Sequence, residues 1–142
     1  MRICIVGCGA VGSLFAANLA SLDDVEVWAY DLAQEHVDAI NERVTSLADR
    51  LRELLGERRG VRVHDQGRRR CGIVTFTVDG VSSTEVQQRL AQHGVNVSVS
   101  LVEYARLDLP GRGLPDLLRA SVHYYNTEDE LHRLIDALPP PK

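Results

Sequence analysis

The first stretch whose spacing carries chemical meaning is Gly7-Cys8-Gly9-Ala10-Val11-Gly12. Between a strand and a helix, three glycines so spaced have separate roles. They allow a tight turn, close backbone approach to a pyrophosphate, and close packing of helix on strand. The helix start that follows offers free N–H groups to the phosphates. Asp31 lies 19 residues beyond Gly12, where a carboxylate accepts hydrogen bonds from a ribose 2′-hydroxyl and repels a 2′-phosphate. The expected cofactor-binding set is therefore Gly7, Gly9, Ala10, Val11, Gly12 and Asp31, with NAD the possible cofactor. No catalytic group stands out. Cys4, Cys8 and Cys71 are odd in number and lack a CxxC pair, so neither a disulfide framework nor a metal site is expected.

These residues need elements to hold them. Ile3–Val6 reads as a strand, and Val11, Leu14, Phe15, Leu19 and Leu22 follow at helical spacing. Val25–Tyr30 reads as a second strand ending at Asp31, which makes a βαβ-type start. Val37, Ile40, Val44, Leu47, Leu51 and Leu54 then continue one apolar stripe at spacings of three and four, predicting one unbroken helix stopped by Gly56. Beyond it come strands at 60–64 and 71–78 around the polar turn DQGRRR. A helix over 84–92 is capped by Ser82 or Ser83, and further strands cover 95–100 and 117–125. In the last of these, alternation places one of Tyr124 and Tyr125 in the core. Thr127 with Glu130 forms a capping box for a final helix.

The chain has 142 residues, 44% of them hydrophobic and 25% charged, with a net charge of −4. That is ordinary globular composition, and the charge argues against nucleic acid as a partner. The apolar runs are short for a membrane span, and the N-terminus lacks the apolar region of a signal peptide. A cytoplasmic protein is expected.

Two resemblances follow from the quoted stretches. Residues 1–42 resemble the opening Rossmann unit of ketopantoate reductase-type dehydrogenases, which implies hydride transfer from a nicotinamide cofactor. From Arg43 to Leu138 the chain resembles the C-terminal small domain of class V aminotransferases, a pyridoxal-phosphate family. The stretches RVTSLADRLRELLG, RCGIVTFTVDG and LPDLLRASVHYYNTEDELHRLIDAL carry this second likeness. It implies that Arg119 matches the family's substrate-carboxylate arginine, and a planar guanidinium suits that role. It also implies a Schiff-base lysine in a large domain, whereas this sequence has one lysine, Lys142, after three prolines.

The fold expected is α/β, with α+β character in the C-terminal part. A partial Rossmann βαβ (1–42) is joined by a continuous helix to an antiparallel-sheet small domain (43–142). The leading functional expectation is a non-catalytic, chimera-like protein with at most weak NAD(H) binding, pyridoxal phosphate being unlikely, and assembled as a homodimer that covers its apolar strand faces. The alternatives are an oxidoreductase of ketopantoate reductase type, or a small-domain part of a class V aminotransferase that needs a large-domain partner.

Overall fold

A computed structural model of the chain describes residues 2–6, 26–30, 34–68 and 70–142. The backbone divides into two compact units, Met1–Ile40 and Asn41–Lys142. In the first, β1 (Arg2–Val6) and β2 (Glu26–Tyr30) pair in parallel, from Arg2 opposite Glu26 to Val6 opposite Tyr30. Parallel neighbours need a crossover connection between them. That connection, with Gly7, Gly9, Ala10, Val11 and Gly12, lies outside the described residues, as does Asp31.

Helix α1 runs without a break over Gln34–Glu57. Its Leu47, Ala48, Leu51, Leu54 and Leu55 are buried at spacings of one, three and four. Gly56 does not end it, contrary to the sequence expectation. No atom lies where a Cβ at Gly56 would point, so that glycine sits on the helix as a solvent-side residue. The chain reverses at Gly60 instead, whose φ of 76° is the left-handed conformation that glycine adopts without penalty.

The second unit is built on a four-stranded sheet in the order β3-β4-β6-β5, from Val61–Val63, Ile73–Val78, Leu117–Ser121 and Ser98–Ser100, every pair antiparallel. Alternation along β4 and β6 sends Val74, Phe76, Leu118 and Ala120 to one face, where all are buried. On that side they join one apolar cluster with α1, α2 (Ser83–Gln92) and α3 (Glu128–Ala137), including Val86, Leu90, Leu131 and Leu134. A single helical turn at Pro110–Arg112 lies in the long β5–β6 connection.

Local signals set the helix ends. Ser82 accepts from the Glu85 N–H at the start of α2. Thr127 and Glu130 make both bonds of the capping box at the start of α3. The last expected strand is shorter than its apolar pattern predicts, because β6 ends at Ser121. His123 N–H donates to the Asn126 side chain, and Asn126 N–H donates to the His123 carbonyl, so the chain turns before α3. Tyr124 and Tyr125 consequently lie in a turn and are both exposed, which corrects the alternation expected of them.

The C-terminal residues return to the turns that flank β3 and β4. Lys142 N–H donates to the Asp79 carbonyl, and its ammonium contacts both oxygens of Glu85 at 3.0 and 3.1 Å. A Cβ added at Gly60 stands only 2.4 Å from Pro141 Cβ. Gly60→Ala therefore meets an unfavourable φ and a clash together. Its expected cost is about 1–3 kcal/mol, read as a lower urea midpoint with an unchanged slope.

Candidate functional site

The helices cover one face of the four-stranded sheet; the other face carries a polar row together with the apolar Ile73 and Leu117. The pairing places Thr75 of β4 opposite Arg119 of β6, and Arg119 opposite Ser98 of β5. His64 continues the same row beyond β3, its N–H bonded to the Thr75 carbonyl at 2.8 Å. The row His64–Thr75–Arg119–Ser98 thus crosses all four strand positions. Arg119 lies at its centre, exposed, and makes no side-chain hydrogen bond or ion pair among the described residues. An unpaired guanidinium keeps its planar donors available for a carboxylate or another oxyanion.

One end of the row is held rigidly. Asp65 accepts the Thr75 N–H at 2.8 Å and the Thr75 hydroxyl at 2.6 Å, and its other oxygen takes Arg52 Nε at 2.7 Å. Arg52 projects from α1 and is 6% exposed in its side chain. It also donates to Asp49 and to the carbonyls of Cys71 and Ile73. Every nitrogen of the Arg52 guanidinium and both oxygens of Asp65 thus have a partner, the condition under which a buried ion pair is tolerated. Arg112, from the β5–β6 connection, donates to the His64 carbonyl at 2.5 Å and pairs with Asp108 at 3.1 Å. His64 Nε2 bonds Thr77 Oγ1 at 2.8 Å. Burial first, and then the Arg112 and Arg62 cations, lower the His64 pKa below its ordinary value, with Asp65 opposing them.

Sequence reasoning named Arg119 but not Arg52, Asp65, His64 or Arg112. Thirteen residues separate Arg52 from Asp65, and 48 separate His64 from Arg112. No local spacing rule pairs residues so far apart; only Arg52, a charge on the apolar stripe of its helix, gave a local hint. His123 and Tyr125 stack with ring centres 5.2 Å apart, on the exposed turn after β6. Cys71 is exposed as a free thiol. Among the described residues no group of three or more His, Cys, Asp or Glu side chains is placed to hold a metal ion. None of the described helices is long and apolar enough to cross a membrane.

The second unit is thus an antiparallel sheet with helices on one side and Arg119 open on the other. The family model for Aminotransferase class-V matches residues 18–134, and the chain belongs to that family. A probable cysteine desulfurase of Pseudomonas putida is 32% identical over 107 residues, covering 75% of this chain and 26% of the relative. Another from Xylella fastidiosa is 31% identical over 102 residues, covering 72% and 24%. The crystal structure of the cysteine desulfurase CsdA from Escherichia coli superposes with a TM-score of 0.60 at 27% identity, over 68% of this chain and 24% of that one. The apo cysteine desulfurase of Thermococcus onnurineus reaches a TM-score of 0.65 at 24% identity, over 72% and 26%, a likeness of fold. The chain spans about a quarter of the length of the curated relatives it matches.

These matches correct the reading of the N-terminal stretch. The family model begins at residue 18, inside the stretch ascribed to a ketopantoate reductase, and passes through the supposed junction at 42–43. The Rossmann, NAD-binding and chimera expectations give way to the class V family; Gly7, Gly9, Ala10, Val11, Gly12 and Asp31 themselves lie outside the described residues. Glycines between a strand and a helix serve turn and packing in many α/β folds, and a fingerprint of that kind does not by itself define a family. The cofactor expectation changes too, because this family works with pyridoxal phosphate and not a nicotinamide.

The described residues do not fit that cofactor by themselves. The sequence contains one lysine, Lys142, and its ammonium is held on Glu85 in the first turn of α2. It is therefore committed away from the row that contains Arg119.

Proposed function

We propose that this chain is the substrate-carboxylate side of a class V pyridoxal-phosphate enzyme of the cysteine desulfurase kind. In this reading Arg119 grips the carboxylate of an amino-acid substrate, and a large-domain segment supplies the lysine that anchors the cofactor. The observation that carries it is the unpaired Arg119 guanidinium at the centre of the open sheet face, in a chain 32% identical to a probable cysteine desulfurase. Thr75 and Ser98 flank it across the strands, with Cβ atoms about 4.5–5.5 Å from its own. Asp65 fixes the Thr75 hydroxyl, so the edge of the carboxylate seat does not rearrange when a ligand arrives.

Two further parts of the reading concern organisation. Residues 43–142 form the functional small-domain part, and two copies of the chain associate as a homodimer. A mass measurement in solution tests the association, and a monomer at all concentrations removes it.

The carboxylate grip is tested by titrating propionate into the chain while following backbone amide resonances. Shifts centred on Thr75, Ser98 and Arg119 are expected, and Arg119→Met is expected to weaken binding by about tenfold or more with the fold intact, because a charge-assisted bidentate pair is lost. Shifts that persist in Arg119→Met eliminate the arginine as the grip.

A further inference from the structure

The strand register fixes what surrounds Arg119 on the open face of the sheet. Thr75 and Ser98 stand beside it across the strands, and Leu117 and Ser121 stand two residues away along β6. Ile73 stands diagonally across on β4, opposite Ser121. Such a diagonal pair has Cβ atoms about 7–8 Å apart, within reach of long side chains. These neighbours make a closed end and an open end. Leu117 shares the face of Arg119, yet it is 3% exposed and lies outside the main apolar cluster, as does the buried Leu109 of the β5–β6 connection. That connection therefore covers the Leu117 end. Ile73 and Ser121, at the other end, are exposed. A ligand held by its carboxylate on Arg119 has room along the sheet toward them.

Ile73 differs from the polar residues around it. Among the described residues it is the large apolar side chain that the sheet leaves exposed, at 37%; Tyr104, Leu107, Tyr124 and Tyr125 lie in connections. The charged groups that share a cavity wall with Ile73 are already paired: Arg52 with Asp65, Arg70 with Asp49 and Arg112 with Asp108. A charged group reaching from Arg119 toward Ile73 would lose water and find no free partner, which costs binding energy. An uncharged group loses little and covers apolar surface.

We propose that Ile73 is the specificity-determining residue of this site, contacting the side chain of the amino acid whose carboxylate Arg119 holds. The proposal rests on Arg119 being the carboxylate grip and adds the side-chain class to it: short and uncharged, aliphatic or thiol, and neither acidic nor basic. Arg119 selects for one acidic end by charge. Ile73 then selects against a second charge, because the ligand's far end meets a branched hydrocarbon and not an ion. Thr75 stands between Ile73 and the row of Arg119's other neighbours, and its hydroxyl is held by Asp65, so the wall does not adapt to a charged group.

Acetate, butyrate and succinate, titrated separately into the full chain at one salt concentration while following backbone amide resonances, separate the two claims. Butyrate is expected to bind about three- to fivefold more tightly than acetate, because its two added methylenes are partly buried against Ile73. Shifts at Ile73 and Ser121 should accompany that gain. Succinate has the length of butyrate with a charged far end, and is expected to show no gain over acetate. The ratio of butyrate to acetate affinity is then read in two variants of nearly equal shape that differ by a hydroxyl. Ile73→Val is expected to keep most of the ratio and Ile73→Thr to bring it to about one. Both keep a branched side chain suited to a strand at a partly exposed position, so the fold is expected to stand. Equal affinity for acetate and butyrate, or a ratio that survives in Ile73→Thr, overturns the role of Ile73 while leaving the Arg119 grip standing. Succinate binding more tightly than butyrate overturns it as well. Absence of binding for all three acids overturns the grip and this proposal together.

Discussion

Asp65→Ala is expected to cost about 3–5 kcal/mol of folding stability, the scale for stranding one member of a buried ion pair. The Asp65 and Arg52 side chains are 9% and 6% exposed, so solvent screens the pair little. The substitution leaves Arg52 Nε without its 2.7 Å acceptor and orphans both the N–H and the hydroxyl of Thr75. Asp65→Asn keeps an acceptor for Thr75 and is expected to lose less. Replacing Arg52 and Asp65 together by apolar residues of similar volume is expected to recover part of the loss, since no buried charge is then left alone. Urea unfolding of the four proteins measures these differences. A loss for Asp65→Ala below about 1 kcal/mol, the range of exposed pairs, refutes this account of the pair.

Phe76→Ala is expected to have a similar effect for a different reason. Phe76 is fully buried at the centre of β4, facing the helices, with Leu118 on one neighbouring strand and Val63 on the other. Truncating it removes the transfer free energy of the ring and leaves a cavity that fixed strands cannot close, at about 3–5 kcal/mol. Because Thr75 precedes it on the same strand and points to the opposite face, the loss reaches the site as well. Propionate shifts at Thr75 and Arg119 should broaden in Phe76→Ala as β4 loosens, even where the protein remains folded. A midpoint within about 1 kcal/mol of the parent chain shows that the core collapses around the gap.

Much of the second unit was legible in the sequence because its signals are local. The stripe from Val44 to Leu54 defines α1, Ser82 caps α2, and Thr127 with Glu130 caps α3, as expected from residues three or four positions apart. Residues 71–78 include β4 because they alternate and are rich in branched side chains. The mixed α/β fold with its small antiparallel sheet follows from such patterns. The stretch at 117–125 was overextended because apolar periodicity continues past the point where Asn126 folds the chain back. Gly56 was misread for a related reason: a glycine is permitted at a helix end but is not obliged to make one.

The N-terminal reading failed differently. The spacing of Gly7, Gly9 and Gly12 occurs in several folds and does not by itself define a family. Family membership came from the match over residues 18–134 as a whole.

What this sequence determined alone is its helices, most of its strands and the likeness that singled out Arg119, because each depends on neighbours close along the chain. Only the tertiary structure decided what surrounds that arginine. The sheet order β3-β4-β6-β5 sets Thr75 and Ser98 beside it, and the Arg52–Asp65 pair fastens one end of the row. The Arg112 contact with His64 ties the β5–β6 connection to the same end of the row. These contacts join residues from 13 to 48 positions apart. Loop closure and burial select them together when the chain collapses, and no periodicity within any one segment encodes them.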